Sequence, residues 1–285
     1  MITVVSAPPF ATIQGLGRTG FRDVGVPPSG LADRDSGLAL NAVLGNDREC
    51  AMIEWALGGG TLRFDMDATV ALGGADAMCS VGGTPVLAWT PTAIPNGAEL
   101  EVRRILRGRF LLIAVQGGID VPQVLGSRST LLSAKLGGFE GRRLRSGDRL
   151  AIGTAFRSEA VANVSPMRTR SGTIPVLRGP QSSFFGHSAW AAFLAATFKV
   201  SNASDRTGYR LEGPPVAAPA SLLPSEPACV GAIQVPADGA PIVIMHDGPT
   251  VGGYPKIAVI RENALARFAQ LVPGDSVRFS LDAER

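Results

Sequence analysis

The densest run of residues able to do chemistry is Asp247-Gly248-Pro249-Thr250-Val251-Gly252-Gly253-Tyr254-Pro255-Lys256. An apolar stretch, Pro241–Met245, precedes it, so it reads as a loop at the end of a strand, where binding and catalytic groups concentrate. The adjacent glycines let a backbone approach a ligand closely. Thr250, Tyr254 and Lys256 add hydrogen-bonding groups. Ser225-Glu226-Pro227 and Gln234-Val235-Pro236 lie just upstream and complete the region. A hairpin with bulge glycines is the bland reading. The concentration of polar groups favours a site, with Asp247 as a catalytic candidate and Ser225, Glu226, Gln234, Gly252, Gly253 and Tyr254 as substrate-binding candidates.

Two further segments carry charge. Ser204–Pro214 packs Arg206 and Arg210 with Asp205 and Glu212. An arginine can clamp a substrate carboxylate bidentately, which makes Arg206 and Arg210 catalytic candidates. Each can equally pair internally with Asp205 or Glu212. Phe21–Asp33 mixes Arg22, Asp23 and Ser29 with the rigid Pro27-Pro28 pair, so it can hold polar groups at low entropic cost. Arg22, Asp23 and Ser29 join the substrate-binding candidates, against the alternative of a structural crossover.

Other motifs lead nowhere. Gly15-Leu16-Gly17-Arg18-Thr19-Gly20 has the dinucleotide-binding spacing, but that fingerprint must open a helix. The continuation through Val26-Pro27-Pro28 cannot be helical. There is no Walker A run, and the two histidines, His187 and His246, are far apart in sequence. The expected metal set is therefore none. His246 adjoins Asp247 at a strand end and could reach a ligand; His187 reads as structural. No G-x-S-x-G elbow supports a serine triad.

The elements that must position these groups are mostly strands. Ile2–Val5, Thr69–Leu72, Phe110–Val115, Leu150–Ile152, Ile174–Leu177, Pro241–Met245 and Val277–Phe279 are short apolar runs punctuated by turn residues, which predicts β-structure. Helices are expected at Asp33–Leu44, capped by Asp33, at Asn263–Leu271, capped by Asn263 and stopped by Pro273-Gly274, and at Ser188–Ala196.

Composition bounds the rest. Hydrophobic residues make up 45% and charged residues 18%, which excludes global disorder. The net charge of +3 comes with no basic run interleaved with aromatics, so no nucleic-acid role is expected. Three cysteines without C-x-x-C spacing fit a reducing compartment. The N-terminus lacks a basic leader and no apolar run reaches membrane-spanning length. A soluble cytoplasmic protein is expected.

An internal repeat organises the chain. Arg18-Thr19-Gly20-Phe21-Arg22 recurs as Arg206-Thr207-Gly208-Tyr209-Arg210. At one constant offset Asp120 maps to Asp247, Gly126 to Gly253, and Gly147-Asp148 to Gly274-Asp275. The pattern predicts two related β-barrels: residues 1–153 with a helical insertion, a polar linker at 154–172, and residues 173–285.

The same segments carry a family resemblance, in order and nearly end to end. GFRDVGVPPSGLAD (Gly20–Asp33), QGGIDVPQVLGSRST (Gln116–Thr130), LGGFEGRRLRSGD (Leu136–Asp148), SDRTGYRLEGP (Ser204–Pro214), GAIQVPADGAPIVIMHDGPTVGGYPKIA (Gly231–Ala258) and PGDSVRF (Pro273–Phe279) resemble the successive motifs of the KipA, or allophanate hydrolase subunit 2, family, which includes the C subunit of 5-oxoprolinase. Leu31-Ala32 replaces the family's Pro-Met before Asp33. The resemblance implies two tandem cyclophilin-like β-barrels, mainly β with a few helices. It implies KipI-like and LamB/YcsF-like subunits as partners, a small amide or lactam substrate, and ATP with Mg2+ as cofactor of the complex. The activity it implies is hydrolysis of 5-oxo-L-proline to L-glutamate, with the isolated chain inactive. It also leaves open a carboxyltransferase subunit of a biotin-dependent urea or amide carboxylase, or a non-enzymatic antagonist of a KipI-type kinase inhibitor.

Overall fold

The computed structural model describes residues 1–155, 173–219 and 224–282. They divide into two compact units. Met1–Thr19 and residues 29–155 make the first; Gly20–Pro28, residues 173–219 and residues 224–282 make the second. Most of the linker expected at 154–172 lies outside the described residues.

The first unit runs β1 (Ile2–Ser6), β2 (Phe10–Gln14), α1 (Arg34–Val43), β3 (Met52–Ala56), β4 (Gly60–Phe64), β5 (Ala68–Val81), β6 (Thr84–Pro85), β7 (Thr92–Ile94), β8 (Glu99–Val115), β9 (Ile119–Asp120) and β10 (Arg149–Ile152). The main path of its barrel-shaped sheet is β2-β3-β8-β4-β1-β10-β9, and β5 lies along β8 from Val70↔Val115 to Val81↔Leu100. Alternate residues of these strands fill the barrel, among them Ile2, Val4, Ile13, Trp55, Phe64, Leu100 and Ile113, all fully buried. α1 covers one face, setting Leu40 and Val43 against Met52, Leu112 and Ala114. It starts where expected: Asp33 Oδ1 accepts the Ser36 N–H at 3.0 Å, satisfying a donor that the helix itself cannot. Two buried side chains hold the preceding loop, since Gln14 Oε1 accepts the Gly30 N–H and Glu54 Oε2 accepts the Ala32 N–H.

The second unit runs β11 (Ile174–Arg178), a 3-10 turn at Ser182–Phe184, α2 (His187–Ala195), β12 (Phe198–Val200), β13 (Gly208–Glu212), β14 (Glu226–Pro227), β15 (Ala232–Gln234), β16 (Ile242–Ile244), β17 (Val251–Gly252), β18 (Lys256–Ile260), α3 (Glu262–Ala269), β19 (Ser276–Val277) and β20 (Phe279–Leu281). Its barrel-shaped sheet is ordered β19-β12-β13-β16-β15-β18-β11-β20, with β14 and β17 as a separate ribbon. Phe193 of α2 stacks on Phe279 at a centroid distance of 5.0 Å, and Phe268 of α3 meets Tyr209 at 5.3 Å. The Tyr209 hydroxyl donates to the Ala269 carbonyl at 2.7 Å, so the buried phenol keeps a partner.

The Gly-Asp repeat is a repeated piece of structure. Gly147 and Gly274 both have φ near +90°, which favours glycine. Asp148 accepts the Arg145 N–H and Asp275 accepts the Val272 N–H, each at 2.9 Å. Each turn also exchanges two backbone bonds with a strand: Gly147 and Asp148 with Val4, Gly274 and Asp275 with Val200. The other matches differ. The turn after β8 closes at Val115–Gly118 and the turn after β16 at Met245–Gly248, so, counted from these closures, Asp247 stands where the first barrel has Gly117 rather than Asp120. The first Arg-Thr-Gly-aromatic-Arg copy forms no strand, whereas the second enters β13. α3 begins after Arg261, an extended residue, so Asn263 lies inside the first turn and is not its cap.

Candidate functional site

The second barrel brings three of the expected site residues to one place. Gln234 on β15 is register partner of Lys256 on β18, and Glu226 on β14 is register partner of Gly252 on β17. Residues paired across antiparallel strands present their side chains to the same face. The two faces meet: Lys256 Nζ is bonded to Glu226 Oε1, and the Gln181 Nε2 donates to that same oxygen at 2.5 Å. Gln181 Oε1 in turn accepts the Lys256 backbone N–H at 3.2 Å.

Lys256 is 1% exposed, while the Glu226 side chain keeps 36% of its surface. A buried ammonium needs a partner, and Glu226 supplies it from the solvent side. Both donors fall on Oε1, and among the described residues Oε2 has no donor. Gln234 completes the cluster. It is 5% exposed and its Nε2 has no hydrogen-bond partner, a condition that costs about 1–3 kcal/mol. A side chain at Gly252 would put its Cβ 2.7 Å from that nitrogen. The arrangement is thus a fixed carboxylate and an unsatisfied amide donor on either side of a glycine. It can accept one hydrogen from a small polar molecule and donate one to it.

The other candidates fall elsewhere. Arg206 pairs with Asp247, Nε to Oδ2 at 2.9 Å and Nη2 to Oδ1 at 3.0 Å, both side chains nearly buried. The Asp205 carboxylate accepts the Thr207 and Gly208 N–H groups. Arg210 is exposed on β13, and its N–H donates to Ser204 Oγ. Ser225 and Tyr254 are exposed and Gly253 half-buried, beside the cluster in sequence. Arg22 and Asp23 lie in the Gly20–Pro28 segment of the second unit, whereas Ser29 belongs to the first. Ser29 is buried with φ +54° and an unpartnered hydroxyl.

The carboxyltransferase domain, subdomain A and B, matches residues 24–281. The chain belongs to this carboxyltransferase-domain family. Among its relatives, the C subunit of 5-oxoprolinase from Escherichia coli (strain K12) is 36% identical over 282 residues, covering 98% of this chain and 90% of that protein. Urea amidolyase of Lachancea kluyveri is 34% identical, over 97% of this chain but only 16% of that much longer protein. The crystal structure of the K. lactis urea amidolyase superposes with a TM-score of 0.90 at 30% identity, covering 98% of this chain and 18% of that one.

The match to the carboxyltransferase-domain family contains Glu226, Gln234, Gly252 and Lys256 and begins just after Arg22 and Asp23. Gln181 has no mark in the sequence, because nothing local distinguishes it in Gly179-Pro180-Gln181. Lys256 stands out there only as a polar loop residue; the structure makes it the buried first residue of β18. The signal available is a lysine opening the apolar run Ile257–Ile260, where a charge is costly unless paired.

Proposed function

We propose that this chain is the C subunit of an ATP-dependent 5-oxoprolinase, working with KipI-like and LamB/YcsF-like subunits to hydrolyse 5-oxo-L-proline to L-glutamate. The observation that carries this reading is the near full-length match to the Escherichia coli 5-oxoprolinase component, which spans 90% of that protein. The urea amidolyase relatives share this domain within far longer chains, so their activity does not carry over to this chain.

The reaction adds water across a lactam C–N bond, leaving a carboxylate and an amine. A lactam carbonyl is a weak electrophile, and catalysis depends on donors placed where negative charge develops. In this reading Gln234 Nε2 is such a donor. Glu226, held on one oxygen by Lys256 and Gln181, accepts a hydrogen from the substrate through the other. ATP supplies driving force for the ring opening in the complex. Among the described residues no three His, Cys, Asp or Glu side chains are grouped to hold a metal ion; Mg2+ bound with a nucleotide needs only one or two carboxylates beside the phosphates, so ATP with Mg2+ is a cofactor of the complex without assignment to a subunit.

The test is to combine the three proteins, isolate the complex, and follow ATP hydrolysis on adding 5-oxo-L-proline. Substrate-stimulated hydrolysis that needs this chain supports the reading. A well-formed complex that never responds to 5-oxo-L-proline refutes it.

A further inference from the structure

We infer that Gln234 and Glu226 together read the hydrogen-bonding edge of a cis amide, Gln234 Nε2 donating to the carbonyl oxygen and Glu226 Oε2 accepting the neighbouring N–H. This rests on the functional reading above and says how the substrate class is chosen.

Three observations point to it. First, Gln234 Nε2 is a buried donor without an acceptor, and a ligand oxygen is what such a donor lacks. Second, Glu226 has one oxygen saturated by Lys256 and Gln181, which fixes the carboxylate in place and leaves Oε2 for one further donor. Third, Gly252 lies against Gln234 Nε2 and opposite Glu226 in the β14–β17 ribbon. The Cβ of any side chain there would stand 2.7 Å from the nitrogen, so the amide end of Gln234 would have to shift.

A ligand that meets both groups presents an acceptor to Gln234 and a donor to Glu226. A five-membered lactam is locked cis, so its C=O and N–H lie side by side. A trans secondary amide, with the two on opposite edges, satisfies only one partner and leaves the other buried and unpaired. Gln234 is held by the β15–β18 pairing, while its cover is a ribbon of two short strands outside the barrel sheet.

The test uses the assembled complex and compares 5-oxo-L-proline with its N-methyl derivative, which keeps the carbonyl and loses the N–H. The wild-type complex is expected to prefer the unmethylated lactam at least tenfold in kcat/KM. Gln234→Leu should lower kcat/KM about tenfold to a hundredfold, and Glu226→Ala should bring the preference near unity. Gly252→Ala retains every polar side chain and should reproduce the Gln234→Leu loss, so it serves if that variant does not assemble. Wild-type kinetics in Gln234→Leu or Gly252→Ala, or an undiminished preference in Glu226→Ala, overturns the inference while the oxoprolinase reading stands. A complex that turns over neither lactam overturns both.

Discussion

Asp247 is bound to Arg206 through side chain and backbone alike: its two carboxylate oxygens accept from the guanidinium, and its own N–H donates to the Arg206 carbonyl at 2.9 Å. The pair joins the segment before β13 to the turn after β16, two neighbouring strands. Asp247 is thereby a clamp on the barrel end, and its oxygens are occupied. Removing one partner strands a largely buried charge, so Arg206→Ala or Asp247→Ala should destabilise the fold by about 1–3 kcal/mol. The apolar double variant Arg206→Met/Asp247→Leu should recover most of that in chemical denaturation. Single variants as stable as wild type would show that the pair does not hold the barrel end.

Tyr209 offers a second stability test. Its hydroxyl ties β13 to the end of α3 at the Ala269 carbonyl. Tyr209→Phe keeps the ring contact with Phe268 and leaves that carbonyl unpaired, costing about 1–3 kcal/mol. Urea denaturation measures it, and an unchanged midpoint would remove the hydrogen bond from the account.

Acid sensitivity should trace to the first Gly-Asp turn. Burial works to raise the Asp148 carboxyl, but bonds from the Arg142 side chain and the Arg145 N–H, with attraction to both arginines, bring it below the usual carboxylate range. A carboxyl depressed in the folded state contributes stability above its unfolded value, and that stability is lost as pH falls through the folded value. Asp148→Asn should therefore lower stability at neutral pH and flatten its decline in acid. A parallel downward shift of the whole stability–pH curve would contradict this assignment.

The cysteines should separate by reactivity. Burial raises the Cys79 thiol to about 11, and Cys229 is exposed. Because the thiolate is the reactive form, iodoacetamide at neutral pH should label Cys229 rapidly and leave Cys79 intact in the folded protein. Peptide mapping reads the result directly, and early labelling of Cys79 would contradict its placement inside β5.

Much of this organisation is legible locally. Asp33 before an apolar-periodic run marks α1, because capping depends on near neighbours. The two Gly-Asp turns are visible because a left-handed glycine and a carboxylate accepting an N–H three residues back leave a short signature. The Arg206–Asp247 pair is not, since both residues stand out singly but their partnership spans a strand pairing that no local pattern encodes. Gln181, Glu226 and Lys256 are likewise joined only by tertiary packing. The barrel repeat misplaces Asp247 against Asp120 because similar turns follow the core strands at different registers. Asn263 looks like a cap, yet α3 starts earlier, where the extended Arg261 turns the chain into the helix.

The most direct measurement is glutamate release from 5-oxo-L-proline by the reconstituted three-protein complex, with and without ATP, and with this chain present, omitted or replaced by Glu226→Ala. The expected result is ATP-dependent glutamate that disappears on omission and falls sharply with the variant. Glutamate released at the same rate without this chain would contradict the account.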